Sequence, residues 1–257
     1  MTTLITGASS GIGYELAKVF AENGHDLVLT ARNQAQLEKL AAEIQSAHKV
    51  KVRVLVKDLA NANSPREIFD ELIRDGTQIE VLVNNAGFGN HGPFANIELD
   101  ADLRLLQVNI VALTALTKLF IREMLARGRG RVMNVASTAG FMPGPLMATY
   151  YASKAYVLHF SEAVAQEVAG RGVSVTALCP GPVDTAFQKR AGIEGSRLFK
   201  DGAAMDARTV ALAGYRGMMH GKRIVIPGTS NKLLTTSVRL SPRRLAAFIA
   251  GKFNVVH

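Results

Sequence analysis

Cysteine occurs once in this chain, as Cys179. A lone thiol forms no intrachain disulfide, so a reducing compartment is expected, and the cytoplasm is the expected location. No run of 18 or more apolar residues goes uninterrupted, so a membrane-spanning helix is not expected. The opening MTTLITGASSGIG has no basic stretch ahead of its first apolar run, which argues against a signal peptide. Short repeats, low-complexity tracts and linkers are also missing, and 257 residues then suit one α/β domain. No metal is called for.

Acidic side chains stop at Asp206. Residues 1–206 hold 21 Lys and Arg against 21 Asp and Glu, which cancel. Beyond them stand Arg208, Arg216, Lys222, Arg223, Lys232, Arg239, Arg243, Arg244 and Lys252, so the whole net charge of +9 lies there. Such asymmetry could serve an anionic membrane or nucleic acid, or be a solvated face or a subunit contact. No nucleic-acid motif accompanies it, so nucleic acid is not expected.

Hydrophobic residues at 48% and charged residues at 20% fit a soluble globular protein. β-branched runs alternate with segments of helical period. Strands are expected at 2–6, 25–31, 50–58, 79–85, 129–137, 173–179 and 223–227. Helices are expected at 11–23, 33–45, from Ser64-Pro65, at about 98–107, 109–127 and 150–169, and near 206–219. This order predicts a doubly wound parallel sheet of about seven strands flanked by helices, with ligands beyond the carboxyl ends of the strands. Residues 1–227 would form the dinucleotide-binding and catalytic body. Residues 228–257 would be a basic extension packed on it, and Pro242 would break any single long helix there.

The first strand runs into TGASSGIG, Thr6 to Gly13. Gly7, Gly11 and Gly13 permit a tight turn and close backbone approach. The next helix would aim its N–H groups at an anion, with Ser9 and Ser10 adding hydroxyls. A glycine-rich turn alone is weak evidence, but between a first strand and a first helix it suits a dinucleotide. TYYASK, 149–154, sets two tyrosines three and four residues before a lysine, so helical geometry lets either one meet Lys154.

The spacing T-G-x-x-x-G-x-G resembles that of the short-chain dehydrogenases/reductases. NNAG at 84–87, Asn109, Ser137, Tyr150-x-x-x-Lys154 and CPGPVDT at 179–185 follow in the family's order. The resemblance implies an oxidoreductase that moves a hydride between a nicotinamide and a carbonyl or alcohol. Tyr150 would be the general acid/base, Lys154 would lower its pKa and bind the ribose, and Ser137 would hold the substrate oxygen. Asn109 would hold a water that feeds the lysine. Tyr151 is then the packing residue of the doublet. Gly7, Ser9, Ser10, Gly11, Ile12, Gly13, Asp58, Leu59, Asn85, Ala86, Gly87, Pro180, Gly181, Val183 and Thr185 would meet the cofactor, with Tyr150 and Lys154. Ala31-Arg32 ends the second strand with no carboxylate before Gln36. Arg32 would thus pair with a 2′-phosphate, favouring NADP(H) over NAD(H). The family's habit also implies a homodimer or homotetramer. The alternative is a non-catalytic NADP(H)-binding sensor or interaction module.

Phe88, Phe94, Phe141, Met142, Pro143, Leu146, Met147, Phe187, Leu198, Phe199 and Met205 fall on the loops expected to build the substrate pocket, which suggests an apolar small molecule. Lys189 and Arg190 read as exposed, and His91 as a surface loop residue near the cleft. Cys179 reads as a small apolar residue. The tail 231–253 could lie on an anionic membrane, cover the cleft or join subunits.

Overall fold

The computed structural model describes residues 1–193 and 204–255. Leu198 and Phe199 lie outside the described residues, as do the side chains of Lys189 and Arg190. Seven strands form one parallel sheet: β1 (Thr2–Thr6), β2 (Asp26–Ala31), β3 (Val52–Val56), β4 (Val81–Asn84), β5 (Gly130–Val135), β6 (Val173–Leu178) and β7 (Ile224–Val225). Their order across the sheet is β3-β2-β1-β4-β5-β6-β7. β4, β5 and β6 are buried almost end to end, as strands covered on both faces must be.

The helices supply those covers. Phe20 of α1 (Gly11–Glu22), Leu37 of α2 (Gln34–Ala47) and Val210 of α8 (Ala207–Met219) pack in the core on one face. Ile68 of α3 (Ser64–Arg74), with Leu116 and Phe120 of α5 (Leu113–Ala126), packs on the other. Each large apolar side chain so buried contributes about 1.5–3 kcal/mol. α6 (Ala148–Glu167) lies on the sheet beside β6. A buried polar chain fastens it. Asn84 donates to Thr117 and Asn134, both at 2.9 Å, and Asn134 donates to Ser161 on α6 at 2.9 Å.

The segment 98–127 differs from expectation. α4 (Leu99–Leu106) passes through a π-helical turn, Gln107–Ala112, directly into α5. Asn109 therefore sits inside one continuous helix and does not open one. This run, Leu99–Ala126, is long and apolar enough to cross a bilayer, but half of its most apolar stretch is buried in the fold. The tail forms α9 (Thr229–Leu240) and α10 (Arg243–Asn254), separated at Ser241-Pro242 as Pro242 requires. A short α7 (Phe187–Ala191) follows β6. Strand order reverses between β1 and β4, which opens a crevice at their carboxyl ends.

Candidate active site

At the end of β1, Gly7 and Gly11 take φ of +66° and +59°, a region open to glycine at little cost. Thr6 Oγ1 accepts the amides of Asn85 and Ala86 at 3.0 Å. Asn85 Nδ2 donates to the carbonyls of Thr6 and Gly7 at 2.9 and 3.2 Å. The segment after β4 thus clamps the turn after β1. Gly13 lies behind the turn, away from the cleft. A β-carbon there would stand 2.3 Å from Asn85 Nδ2 and 2.4 Å from the Gly7 carbonyl oxygen. Its place is to let α1 close on the turn, which differs from the cofactor contact expected of it. No acidic side chain occupies the first turn of α1, so its positive end is available to an anion.

From this turn a cleft of about 1600 Å³ runs across the sheet. Ser9, Ser10, Ile12, Leu59, Ala86, Gly87, Pro180, Gly181, Val183 and Thr185 line it beside Gly7, Gly11 and Asn85. Arg32 and Asp58 stand at its far end as an exposed ion pair at 4.0 Å, an interaction worth little in itself. Single ligand pockets span about 300–1,000 Å³, so this cleft has room for a dinucleotide and a second molecule. Its glycine turn, open helix end and the cation Arg32 all fit a dinucleotide.

Tyr150, Lys154 and Ser137 meet on the opposite wall. Ser137, two residues past β5, has extended backbone, accepts the Ala139 amide at 3.1 Å and donates to the Pro180 carbonyl at 3.3 Å. Lys154 Nζ donates to the Val135 carbonyl at 2.8 Å and lies 5.8 Å from the Tyr150 ring centre. Burial lowers Lys154 to about 8. Burial also raises the Tyr150 phenol above its ordinary range, and a hydrogen bond with Ser137 pulls the other way. The protein's own groups therefore leave both Tyr150 and Lys154 biased towards their neutral forms.

The π-turn places Asn109, which is buried. It accepts the Phe88 amide at 3.1 Å and donates to the Phe88 carbonyl and to Ser153 Oγ, both at 3.0 Å. Ser153 donates to the Tyr150 carbonyl at 2.7 Å. A β-carbon on Gly87 would come 3.1 Å from Asn109 Oδ1 and 3.4 Å from Lys154 Nζ. Asp102 accepts Asn90 at 3.1 Å and Thr149 at 2.8 Å, which joins α4, the loop after β4 and the first turn of α6. Neither Ser153 nor Asp102 has a motif to announce it.

The substrate end differs from the expected inventory. Phe88, Met142, Met147 and Phe187 line the cleft, whereas Phe94 is 69% exposed and Phe141 faces a separate small pocket. Pro143, Leu146 and Met205 do not line it. Leu234, Val238, Ile249 and Phe253, from α9 and α10, complete the wall. Tyr151 explains how α10 is held. Its ring packs against Gly144, where a β-carbon would lie 2.2 Å away, and its hydroxyl donates to Asn254 Oδ1 at 3.0 Å. Asn254 is fully buried, donates to the Pro145 carbonyl at 2.9 Å and offers its own carbonyl to His91 Nε2 at 2.7 Å. His91 is thus partly buried and holds the tail. Burial pushes the Cys179 thiol up to about 12, in keeping with an inert packing residue.

Tyr151→Phe removes one bond of this latch and leaves Asn254 Oδ1 short of a donor, at a cost of about 1–3 kcal/mol. Turnover of a small soluble carbonyl should stay within about threefold, while KM for a bulky apolar one rises and α10 exchanges its amides faster. Hydrogen exchange with paired kinetics checks this. An equal loss of kcat on both substrates would place Tyr151 in the chemistry instead.

Residues 1–195 match the family model described as short chain dehydrogenase. The chain belongs to the short-chain dehydrogenase family. It is 36% identical over 191 residues to a very-long-chain 3-oxoacyl-CoA reductase of Phaeosphaeria nodorum, which covers 72% of this chain and 56% of that protein. It thus spans little more than half the length of such relatives. The ketoacyl reductase HetN of Nostoc is 30% identical over 94% of the chain and 79% of its own length. A short-chain dehydrogenase from Sphingobium yanoikuyae, solved in complex with NADPH, superposes with a TM-score of 0.84 at 33% identity, covering 93% of each chain. A bulky-bulky ketone specific alcohol dehydrogenase from Comamonas testosteroni gives 0.79 at 30% identity, over 93% and 92%.

Proposed function

We propose that this short-chain dehydrogenase is an NADPH-dependent reductase of ketones carrying bulky apolar groups, with Tyr150 as the general acid. The observation that carries the reading is one cleft joining an Arg32-bearing end, where no carboxylate falls between Thr30 and Gln36, to the Ser137–Tyr150–Lys154 wall and to an apolar opposite end. The similar proteins' names point the same way, as reductases of 3-oxoacyl-CoA, ketoacyl groups and bulky ketones.

A nicotinamide bound in this cleft would supply the hydride and, once oxidised, a positive charge. Ser137 donates to the substrate oxygen and steadies the charge that develops there. Tyr150 gives that oxygen its proton, and Lys154 stabilises the phenolate left behind. Asn109, bonded to both the amide and the carbonyl of Phe88, keeps the adjoining loop and Ser153 in register with Lys154. The helix end of α1, Ser9 and Ser10 would hold the pyrophosphate, and Arg32 would hold the 2′-phosphate.

The cofactor preference has a direct test. Arg32→Ala should weaken NADPH binding by about 10–100-fold, the worth of a charge-assisted bond, and leave NADH within about threefold. Titration of both reduced cofactors reads this, and an unchanged ratio removes Arg32 from the site.

A homo-oligomer and cytoplasmic residence belong to the same proposal. Exposed Val111 and Tyr156, the latter stacked on Phe160 at 5.6 Å, give the outer faces of the π-turn and α6 an apolar patch suited to a second copy.

A further inference from the structure

α10 is built with its faces exchanged. Its buried side is the narrow stripe Ala246, Ala250 and Asn254, while the large apolar residues Leu245, Phe248, Ile249 and Phe253 point outward and are between 42% and 60% exposed. On α9, Leu233 and Leu240 are 72% and 84% exposed, one helical heptad apart. A helix that packs only on its own protein turns its large apolar residues inward. Lys232, Arg239, Arg243, Arg244 and Lys252 are exposed on the same two helices. Among the described residues no carboxylate pairs with any of them. None of the five lines the catalytic cleft. Two of them instead lie over aromatic rings, Lys252 at 4.6 Å from the Phe248 centre and Arg239 at 5.5 Å from that of Phe141.

The cleft opens at this surface. Leu234, Ile249 and Phe253 are exposed and also line it, and α9 and α10 scarcely touch each other. The mouth is therefore a gap between two helices, rimmed by apolar side chains and then by cations.

We propose that the α9–α10 face docks on an anionic lipid bilayer and seats the mouth of the cleft against it. Charge decides the occupant. A second copy placed face to face would oppose five unpaired cations with five more, since a two-fold contact repeats the same surface. Anionic headgroups neutralise them at about 1 kcal/mol each, and the outward leucines and phenylalanines enter the acyl boundary. An apolar carbonyl dissolved in the bilayer then reaches Tyr150 without crossing water. That delivery route rests on the reductase reading; the docking does not.

The test uses the full chain and vesicles of phosphatidylcholine, with or without phosphatidylserine, in a co-sedimentation assay. Binding to the phosphatidylserine vesicles should be strong at low salt, weaken as salt shortens the Debye length, and be absent on phosphatidylcholine alone. R243Q/R244Q should lower the partition by about tenfold or more. F248S should lower it comparably through lost insertion. Both variants lie outside the cleft and should reduce a water-soluble ketone at the wild-type rate, which also confirms their folding. No binding to anionic vesicles would overturn the proposal. Binding that both variants leave unchanged would overturn it too. A light-scattering mass that falls in F248S would overturn it in favour of a contact between copies. Because partition is read without turnover, failure of the reductase reading would appear separately, as lost ketone reduction with docking intact.

Discussion

Tyr150→Phe is expected to reduce ketones about 10²–10⁴-fold more slowly than the wild type, the range a positioned acid contributes. The ring stays, so its packing on Phe187 at 5.3 Å and on Tyr151 at 6.1 Å is kept. The glycine turn and Arg32 end are untouched, and NADPH should bind within about threefold of wild type by fluorescence titration. The variant lacks the proton donor that the proposed mechanism aims at the substrate oxygen, and neither neighbouring hydroxyl replaces it. In the proposed mechanism Ser137 already holds that oxygen with its one hydroxyl proton, and the Tyr151 hydroxyl is committed to Asn254. A variant with full turnover would remove Tyr150 from its role and reopen the doublet.

Lys154→Met is expected to stabilise the cofactor-free protein while stopping it. Burial lowers this lysine from 10.5 to about 8. Between those two values the unfolded chain holds a proton that the folded chain has released, so stability rises with pH through that window. Below it the folded protein carries the whole cost of a buried ammonium, about 3 kcal/mol. Methionine removes that cost but leaves the Val135 carbonyl without its donor, a loss of about 1–3 kcal/mol. The net gain near neutral pH is about 1 kcal/mol, or about 2–4 °C in Tm. It disappears above the unfolded pKa, where neither state is charged. Turnover should fall by about 10²-fold or more, because the phenolate loses its cation. Thermal melts of the cofactor-free protein across pH decide the matter. A Tm that drops equally at every pH would show that Lys154 is no burden in the folded state.

The sheet was legible because its signals are local. β-branched runs of about five residues between glycine, serine and asparagine can be little else than strands, and the strand ends carried TGASSGIG, NNAG and CPGPVDT in the open. The π-turn was not legible. One extra residue in a helical turn leaves apolar periodicity almost unchanged, so 98–127 reads as two helices meeting at Asn109. Asp102 and Asn254 were invisible for another reason. Asn254 meets Tyr151 across 103 positions, and a lone amide has no partner spacing to betray it. The tail's role stayed open in the sequence, because nothing in its pattern says that the large residues of α10 face outward and its small ones inward. Phe94 shows the limit for loops. Nothing in a loop's sequence says which way it turns, and this phenylalanine turns to solvent.

The latch at Asn254 also sets an order of events during synthesis. Every other residue that forms the cofactor turn, the Ser137–Tyr150–Lys154 wall and the α9 side of the cleft precedes residue 243 in the chain. A nascent chain that folds as it leaves the ribosome can therefore complete its sheet and accept the dinucleotide before the cleft has its last wall. Only when Asn254 reaches Tyr151, Pro145 and His91 does the catalytic chamber close. Competence for a large substrate is thus acquired later than the sheet and the cofactor turn.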